Sequence, residues 1–567
     1  MVKVLLQLLA LASAASAIWP IPATYTNGDS VLWISRDVKI NYKAPGSYGK
    51  SSAVQDAITR AHDIIFKENF VPWKFHLRNT DFEPAAKGSK KYISSIDISV
   101  KDADSGSTYK PLAGQVSEAY TLSVTEAGKA TITADTSIGA LRALDTFTQL
   151  WYTHSQPGVG VYTNLAPVDI KDAPKFSHRG LNLDVSRNYY APQDVLHTID
   201  ALAWNKFNRL HIHATDAQSW PLDIPSLPEL SEKGAYKKGL SWTPAEFENI
   251  QAYGAARGVE VITEIDMPGH TSIIALAYPE LITAYDIQPY NSTYAAEPPS
   301  GALKLNDSAV PEFLEKLFSD LLPRVHPYSA YFHTGGDEVA ANDYLLEEGV
   351  KSNDSTVISG LLQKFLDRNH DQVRKLGLTP MVWEEMLLQW NLTLGKDVVV
   401  QTWQTDEAVL QTVNKGHKAL VGNYEYWYLD CGAGQWLNFE NGAPFQTYYP
   451  FADYCTPTKN WRLIYAYDPV GNIPADKHSL VLGGEVHMWS EQTDPVILDH
   501  MLWPRAGAAG EVLWSGRQDA QGQNRSQLDA APRLAEMRER LVQRGVRAGP
   551  VQMIFCTQHN ATECSTT

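Results

Sequence analysis

The 567-residue chain is poor in cysteine, with four, and in methionine, with eight. Four cysteines are too few for the disulfide lattice of a small secreted domain, and none stands in the C-x-x-C spacing of a structural zinc site. No run of Lys or Arg occurs, and the net charge is -16. That excludes a partner held mainly through phosphate contacts, because nucleic-acid binders present basic faces. Beyond the N-terminus no stretch has the uninterrupted apolar length of a membrane span. At this length two domains are expected, although one barrel can absorb more than about two hundred residues.

What is present starts at the N-terminus. "MVKVLLQLLALASAASA" precedes "IWPIP": a lysine, a short apolar stretch and the A-x-A ending Ala15-Ser16-Ala17, the pattern of a secretory signal peptide cleaved after Ala17. A buried first helix is the competing reading, but the stretch is not amphipathic. Export agrees with six N-x-S/T sequons, at Asn291, Asn306, Asn353, Asn391, Asn524 and Asn560. It also agrees with the even cysteine count, and proximity pairs Cys431 with Cys455 and Cys556 with Cys564. The expected destination is extracellular, or a lysosome- or vacuole-like compartment. Sixteen Trp and twenty-seven Tyr suit carbohydrate stacking and ordinary cores alike.

Residues 18–166 mix both kinds of local pattern. "VLWISRDVKI", "SIDISV" and "AYTLSV" read as strands, while "SAVQDAITRAHDIIF" and "SIGALRALDTFTQLW" place apolar residues at helical spacing. An α+β domain is expected there. "NLAPVDIKDAPKFSHRG", with two prolines and several polar residues, reads as a linker. From 175 to 515 eight short apolar runs alternate with amphipathic stretches: "GLNLDVS", "RLHIHAT", "VEVITEI", "SAYFHT", "TPMVW", "DVVVQTW", "ALVGNY" and "LVLGGEV". One of the stretches between them, "TPAEFENIQAYGAARG", opens on a Thr-Pro cap and closes on Gly258. This is the rhythm of a (β/α)8 TIM barrel within the α/β class. Residues 516–567 form a C-terminal helical extension and tail.

In such barrels the reactive groups lie at the C-terminal ends of the strands. Chemistry-capable residues do fall just after each run. In order they are Arg187, then Asp216, then Glu264, Asp266 and His270, then Asp337 and Glu338. Trp383, Glu384 and Glu385 follow, then Trp403, then Tyr428 and Asp430, and finally Trp489 and Glu491. Adjacent Asp337 and Glu338 leave the backbone in different directions, so they address different atoms of one ligand. Burial and the neighbouring charge would raise a carboxyl pKa and keep an acid loaded for glycoside cleavage. A helix N-terminus favouring acids is the plainer reading of the pair.

"HTGGDEV", supported in order by "RGLNLDVSR", "RLHIHATDAQSW", "EIDMPGHT", "VWEE", "WYLD", "GGEVHMWSE" and "WPRA", resembles glycoside hydrolase family 20, the β-N-acetylhexosaminidases, in a secreted, fungal-like form. The resemblance covers the whole barrel, and the preceding α+β domain is similar to the family's small N-terminal domain. It implies retaining, substrate-assisted hydrolysis without a cofactor, in which the substrate's own acetamido oxygen is the nucleophile. Glu338 is then the acid and base, Asp337 orients the acetamido N–H, and Tyr428 donates to the acetamido oxygen. Arg187, Asp430 and Glu491 hold sugar hydroxyls, and Trp383, Trp403 and Trp489 enclose the ring. His270 and Asp216 form a network behind the acid. A homodimer and an acidic pH optimum are further implications. The chain departs from the family pattern at Ala217, in place of a second acid, at Asn188, where histidine is frequent, and at Val486-His487.

Two rival readings stand beside it. His211 and His213, with His270, His333 and Asp337, could be the metal site of an amidohydrolase-like barrel. Against this, the H-x-H lies on the second run rather than the first, and no downstream lysine or histidine completes the pattern. A secreted sugar-binding protein on a decayed hydrolase scaffold is the other, but Glu338, Asp337 and Tyr428 are all present.

Overall fold

A computed structural model describes residues 18–44, 52–290, 293–438, 452–559, 563–564 and 566. The signal-peptide segment and the sequons at Asn291 and Asn560 lie outside the described residues.

The N-terminal domain is one mixed sheet of seven strands. Lys39–Lys43, Ser95–Val100 and Lys129–Ala134 run parallel, and Tyr120–Val124, Val161–Asp172 and Thr24–Ile34 extend it antiparallel. Helices Ser52–Lys67 and Ser137–Thr148 bury Val54, Ala57, Leu141, Leu144 and Phe147 against Ile98 and Ile132 of the sheet. The helical and strand periods are therefore the two halves of one core.

Three expectations change here. "VLWISRDVKI" is two strands, since the polar Arg36-Asp37 pair makes a turn between Ile34 and Lys39. The second helix stops at Thr148, because Gln149 turns its amide onto both the N–H and C=O of Trp19 at 2.8 Å. The stretch read as a linker is half strand: Val161–Asp172 runs through Ala166 and Pro167, so the 166 boundary falls inside the sheet. The prolines mislead because Pro167 sits in a strand whose partners skip register nearby.

The eight expected runs form a closed parallel barrel. Its strands are His178–Asp184, Arg209–His213, Glu260–Glu264, Tyr331–His333, Thr379–Trp383, Val399–Thr402, Lys418–Val421 and Val481–Met488. Helix Pro244–Ala255 starts where expected, with Thr243 and Glu246 closing a capping box. The fifth strand departs from the rhythm, being followed by a five-residue helix, Glu384–Leu388. Near the N-terminal ends of the strands the bore is filled by Ile262, Tyr331, Met381, Val399, Leu420 and Leu482, an ordinary apolar layer.

The two domains are joined by buried charge. Glu118 accepts from Arg142 Nε at 2.9 Å, Arg179 Nη2 at 2.6 Å and Asn208 Nδ2 at 3.0 Å. Asp172 accepts from Lys206 Nζ and Tyr120 at 2.9 and 2.6 Å and from the Trp514 indole at 3.0 Å. In the C-terminal extension, helix Gln527–Gln543 docks through Arg533, which donates to both oxygens of Glu511 at 2.6 and 2.8 Å. No helix among the described residues is long and apolar enough to cross a membrane.

Candidate active site

The fourth strand is three residues long and leads into Thr334-Gly335-Gly336. Gly335 has φ +66°, and a Cβ there would lie 1.7 Å from Asp266 Oδ1. Gly336 has φ +109° and donates its N–H to that same oxygen at 2.7 Å. Only glycine fits this approach, and it swings the next two residues onto the rim. Glu338 also has positive φ, +50°, so its side chain diverges from that of Asp337. The Asp337 side chain is 11% exposed and the Glu338 side chain 35%. The two side chains point apart, yet burial first and the Glu338 charge among its neighbours raise the Asp337 carboxyl, as the sequence suggests for one member of the pair.

Both side chains face a cavity of about 630 Å3. It is walled by Arg187, His270, Glu297, Trp403, Tyr428, Asp430, Trp489 and Glu491, contributed by loops around the whole rim. The loop after the seventh strand adds Trp436, Asp453 and Tyr454. Disulfide Cys431–Cys455 ties this loop at the cavity wall, and Cys556–Cys564 closes the tail, both as proximity predicts.

Arg187 is held by four partners. Its Nε donates to Gln218 at 3.0 Å, Nη1 to Asp184 at 3.1 Å, and Nη2 lies 2.9 Å from Asp216 and 2.6 Å from Glu297. Burial opposes its charge, but Asp216, Glu297 and Asp184 outweigh burial. Asp216, fully buried, also faces His213 Nε2 at 2.7 Å and His270 Nδ1 at 3.1 Å. His270 Nε2 stands 3.4 Å from Glu338 and 3.9 Å from Asp337. Asp216, His270 and Glu338 thus lie in one line of contacts.

The rim is rich in uncompensated carboxyls. Burial, then the charge of Asp337, raises Asp266 well above the usual carboxylate range, and Asp266 hydrogen-bonds Asp337. Burial raises Asp337 itself, with His270 pulling the other way. Asp337 Oδ1 has no hydrogen-bond partner among the described residues. Asp430 and Glu384 are each pushed up to about 7, chiefly by burial. Glu385 and Glu491 are raised further, by burial and by neighbouring acids. Burial also raises the Tyr428 hydroxyl well above the usual phenol range, so it stays a donor.

Trp403 stands as expected, its ring stacked on Tyr428 with centroids 6.1 Å apart and its Nε1 donating to Glu385 at 2.9 Å. Trp489 lies under the Arg187 guanidinium at 5.3 Å. Trp383 does not wall the cavity. Its indole is fully buried beneath, 6.1 Å from the Trp489 ring, because it points into the bore and gives its N–H to Glu264 Oε1 at 2.7 Å.

Glu264 lies in the bore as well, beneath the rim. Its carboxylate meets His213 Nδ1 at 2.7 Å, His333 Nδ1 at 3.0 Å and His211 Nε2 at 3.1 Å. These contacts overturn the five-residue metal constellation. Among the described residues no three of His211, His213, His270, His333 and Asp337 bring ligand atoms within 4.8 Å of one another. They fall instead into two separate groups, His211 and His333 around Glu264, and His270 and Asp337 beside Asp266.

The sequence reading misses Asp184, Gln218, Glu297, Glu485 and Tyr454. Asp184 ends the first strand three residues before Arg187, so strand-end logic could have found it. Glu297 sits in a long loop before two prolines, with no periodicity to mark it. The sequons Asn306, Asn353, Asn391 and Asn524 are all exposed.

A TIM barrel whose rim gathers acids and aromatic rings in one cavity is the architecture of a carbohydrate-cleaving hydrolase. Residues 176–517 match the catalytic-domain model of glycosyl hydrolase family 20, and residues 18–150 match the model described as beta-acetyl hexosaminidase like. The chain belongs to glycosyl hydrolase family 20. It is 42% identical to a beta-hexosaminidase of Arthroderma benhamiae, covering 97% of each chain. It is 31% identical to beta-hexosaminidase 1 of Coccidioides posadasii over 78% of each. Among solved structures it resembles the chitobiase of Flavobacterium johnsoniae, with TM-score 0.72 and 26% identity over 94% of this chain and 73% of that one.

Proposed function

We infer that this chain is an exo-acting β-N-acetylhexosaminidase, removing terminal non-reducing N-acetylglucosamine, and N-acetylgalactosamine as well, from chito-oligosaccharides and glycoconjugates. Family membership supports the activity. One observation carries the mechanism: Asp337 and Tyr428 line one cavity. A carboxylate acceptor beside a hydroxyl donor is the complement of a secondary amide, which offers one N–H and one C=O. A 2-acetamido group held there is oriented to attack its own anomeric carbon. Asp337 stabilises the positive charge of the resulting oxazolinium, and Glu338 protonates the leaving oxygen and then deprotonates water. Arg187, Asp430 and Glu491 grip hydroxyls, while Trp403 and Trp489 cover the ring faces. The signal-peptide pattern, the disulfides and the exposed sequons support a secreted glycoprotein, which acts as a homodimer.

The test is hydrolysis of a chromogenic β-N-acetylglucosaminide, with the same-aglycone β-glucoside as control, by wild type and Glu338→Gln. Cleavage restricted to the acetamido sugar and lost in the variant is expected. Comparable cleavage of the plain glucoside would exclude acetamido participation.

A further inference from the structure

Directly beneath the cavity the apolar filling of the bore gives way to a string of acids and histidines. His178 Nε2 lies 2.7 Å from Glu485 Oε1, and Glu485 Oε2 lies 3.0 Å from His211 Nδ1. His211 Nε2 makes an ion-pair contact of 3.1 Å with Glu264 Oε2, which is 2.7 Å from His213 Nδ1. His213 Nε2 is 2.7 Å from Asp216 Oδ2, and Asp216 Oδ1 is 3.1 Å from His270 Nδ1. His270 Nε2 then reaches Glu338 at 3.4 Å. Residues 211 and 213 alternate with Ile212 on one strand, so both point inward. All members before His270 are fully buried.

Burying three carboxylates costs several kcal/mol each before pairing, whereas Val, Ile and Leu would fill the bore without that cost. The lower layer of this same barrel is mostly filled so, with one ion pair, Arg209 and Glu260 at 3.3 Å, beside it. The much denser charge that runs from there up to the cavity needs another reason. His213 supplies one: both its ring nitrogens lie against carboxyl oxygens, and wherever those two groups are ionised it donates from both, as an imidazolium. The groups facing it are Glu264 and Asp216, with the rings of Trp489 and His270 at 5.0 and 6.4 Å. Those facing His270 are Asp216, Asp337, Glu338 and, at longer range, Asp266.

We propose that His213, backed by Glu264, is a positioning residue for the acid: its fixed positive charge shares Asp216 with His270 and so sets how firmly His270 holds a proton beside Glu338. The proposal rests on Glu338 being the acid. Burial opposes charge on His213 and His270, but the carboxylates around each outweigh it and hold both ring protons well above the usual imidazole range. When Glu338 gives its proton to the leaving oxygen, a cationic His270 at its side stabilises the carboxylate left behind, and the proton abstracted later from water refills it.

The test reads the charge of His213 directly and through its support. His213→Gln removes the positive charge, and Glu264→Gln removes the carboxylate that holds it there. The basic limb of the pH dependence of kcat/KM should move up by about half a pH unit or more in the first, and in the same direction by less in the second. Equal losses of activity and melting temperature with unmoved limbs would show that the string only packs the bore. Should neither variant fold, neutron diffraction of the wild-type enzyme decides: deuterium on both ring nitrogens of His213 supports the proposal, and deuterium on one overturns it. Glu338→Gln is assayed in parallel, because an active variant would sink the acid assignment itself, independently of the string.

Discussion

The two ends of the barrel bury similar groups to different effect. At the interface with the N-terminal domain Glu118 and Asp172 have their cations: burial pushes Glu118 up, but Arg179 and Arg142 outweigh burial and hold it at about 2. At the opposite rim carboxyls outnumber cations, and Asp430 and Glu384 are raised to about 7. Matched charge fixes the domains; unmatched charge leaves acceptors and protons free for a ligand. Burial alone therefore does not mark a catalytic carboxyl; burial without a matching cation, at the wall of a cavity, is the better sign.

The comparison can be broken most sharply at Asp337. Asp337→Asn should lower kcat about a thousandfold, because it removes charge stabilisation of the oxazolinium, while leaving the melting temperature unchanged or higher. Glu118→Gln should do the reverse. It leaves Arg142 and Arg179 facing an uncharged amide, destabilises the fold by about 3–5 kcal/mol, and leaves kcat of the folded fraction intact. Urea unfolding together with steady-state kinetics on both variants checks the pair.

A smaller effect is expected where the rim meets its disulfide. Cys431→Ser with Cys455→Ser frees the loop carrying Tyr454, and KM should rise ~5-fold, roughly the cost of re-ordering one or two residues on binding, with kcat less affected. The smallest effect concerns pH. Glu118, depressed in the folded state, contributes stability that is present above its unfolded value of 4.5 and lost as pH falls through about 2. Asp430, raised from 3.8, contributes in the opposite sense: stability is fully present below 3.8 and lost as pH rises through about 7. Thermal stability should therefore peak on the acid side of neutrality. Asp430→Asn should recover about 1–2 °C at pH 8, less at pH 5 and nothing below about pH 3.8, measurable by differential scanning calorimetry.

The barrel was legible because alternation of short apolar runs with helices is a repeated signal, and eight repeats average out local ambiguity. The rim was legible for the same reason: strand ends are predictable positions, so Arg187, Asp337, Glu338, Tyr428 and Glu491 could be placed before any contact was known. What the pattern cannot carry is side-chain direction at a strand's last residue. Trp383 and Glu264 therefore looked like rim residues and proved to fill the bore. Loops fail differently. Glu297 reaches Arg187 only because the loop before the fourth strand folds back over the mouth, and no period of 2 or 3.6 encodes such a return. The N-terminal linker was misjudged because two prolines outweighed the alternation of "APVDIKD", which is strand.

Among the described residues the bore beneath the cavity is closed by Trp383 and by the acid-histidine string, so the cavity has no opening toward the far end of the barrel. A monosaccharide released at its floor would then leave only after the shortened chain had vacated the site. Each cut is expected to be a separate encounter, with free sugar competing for the seat of the next chain end.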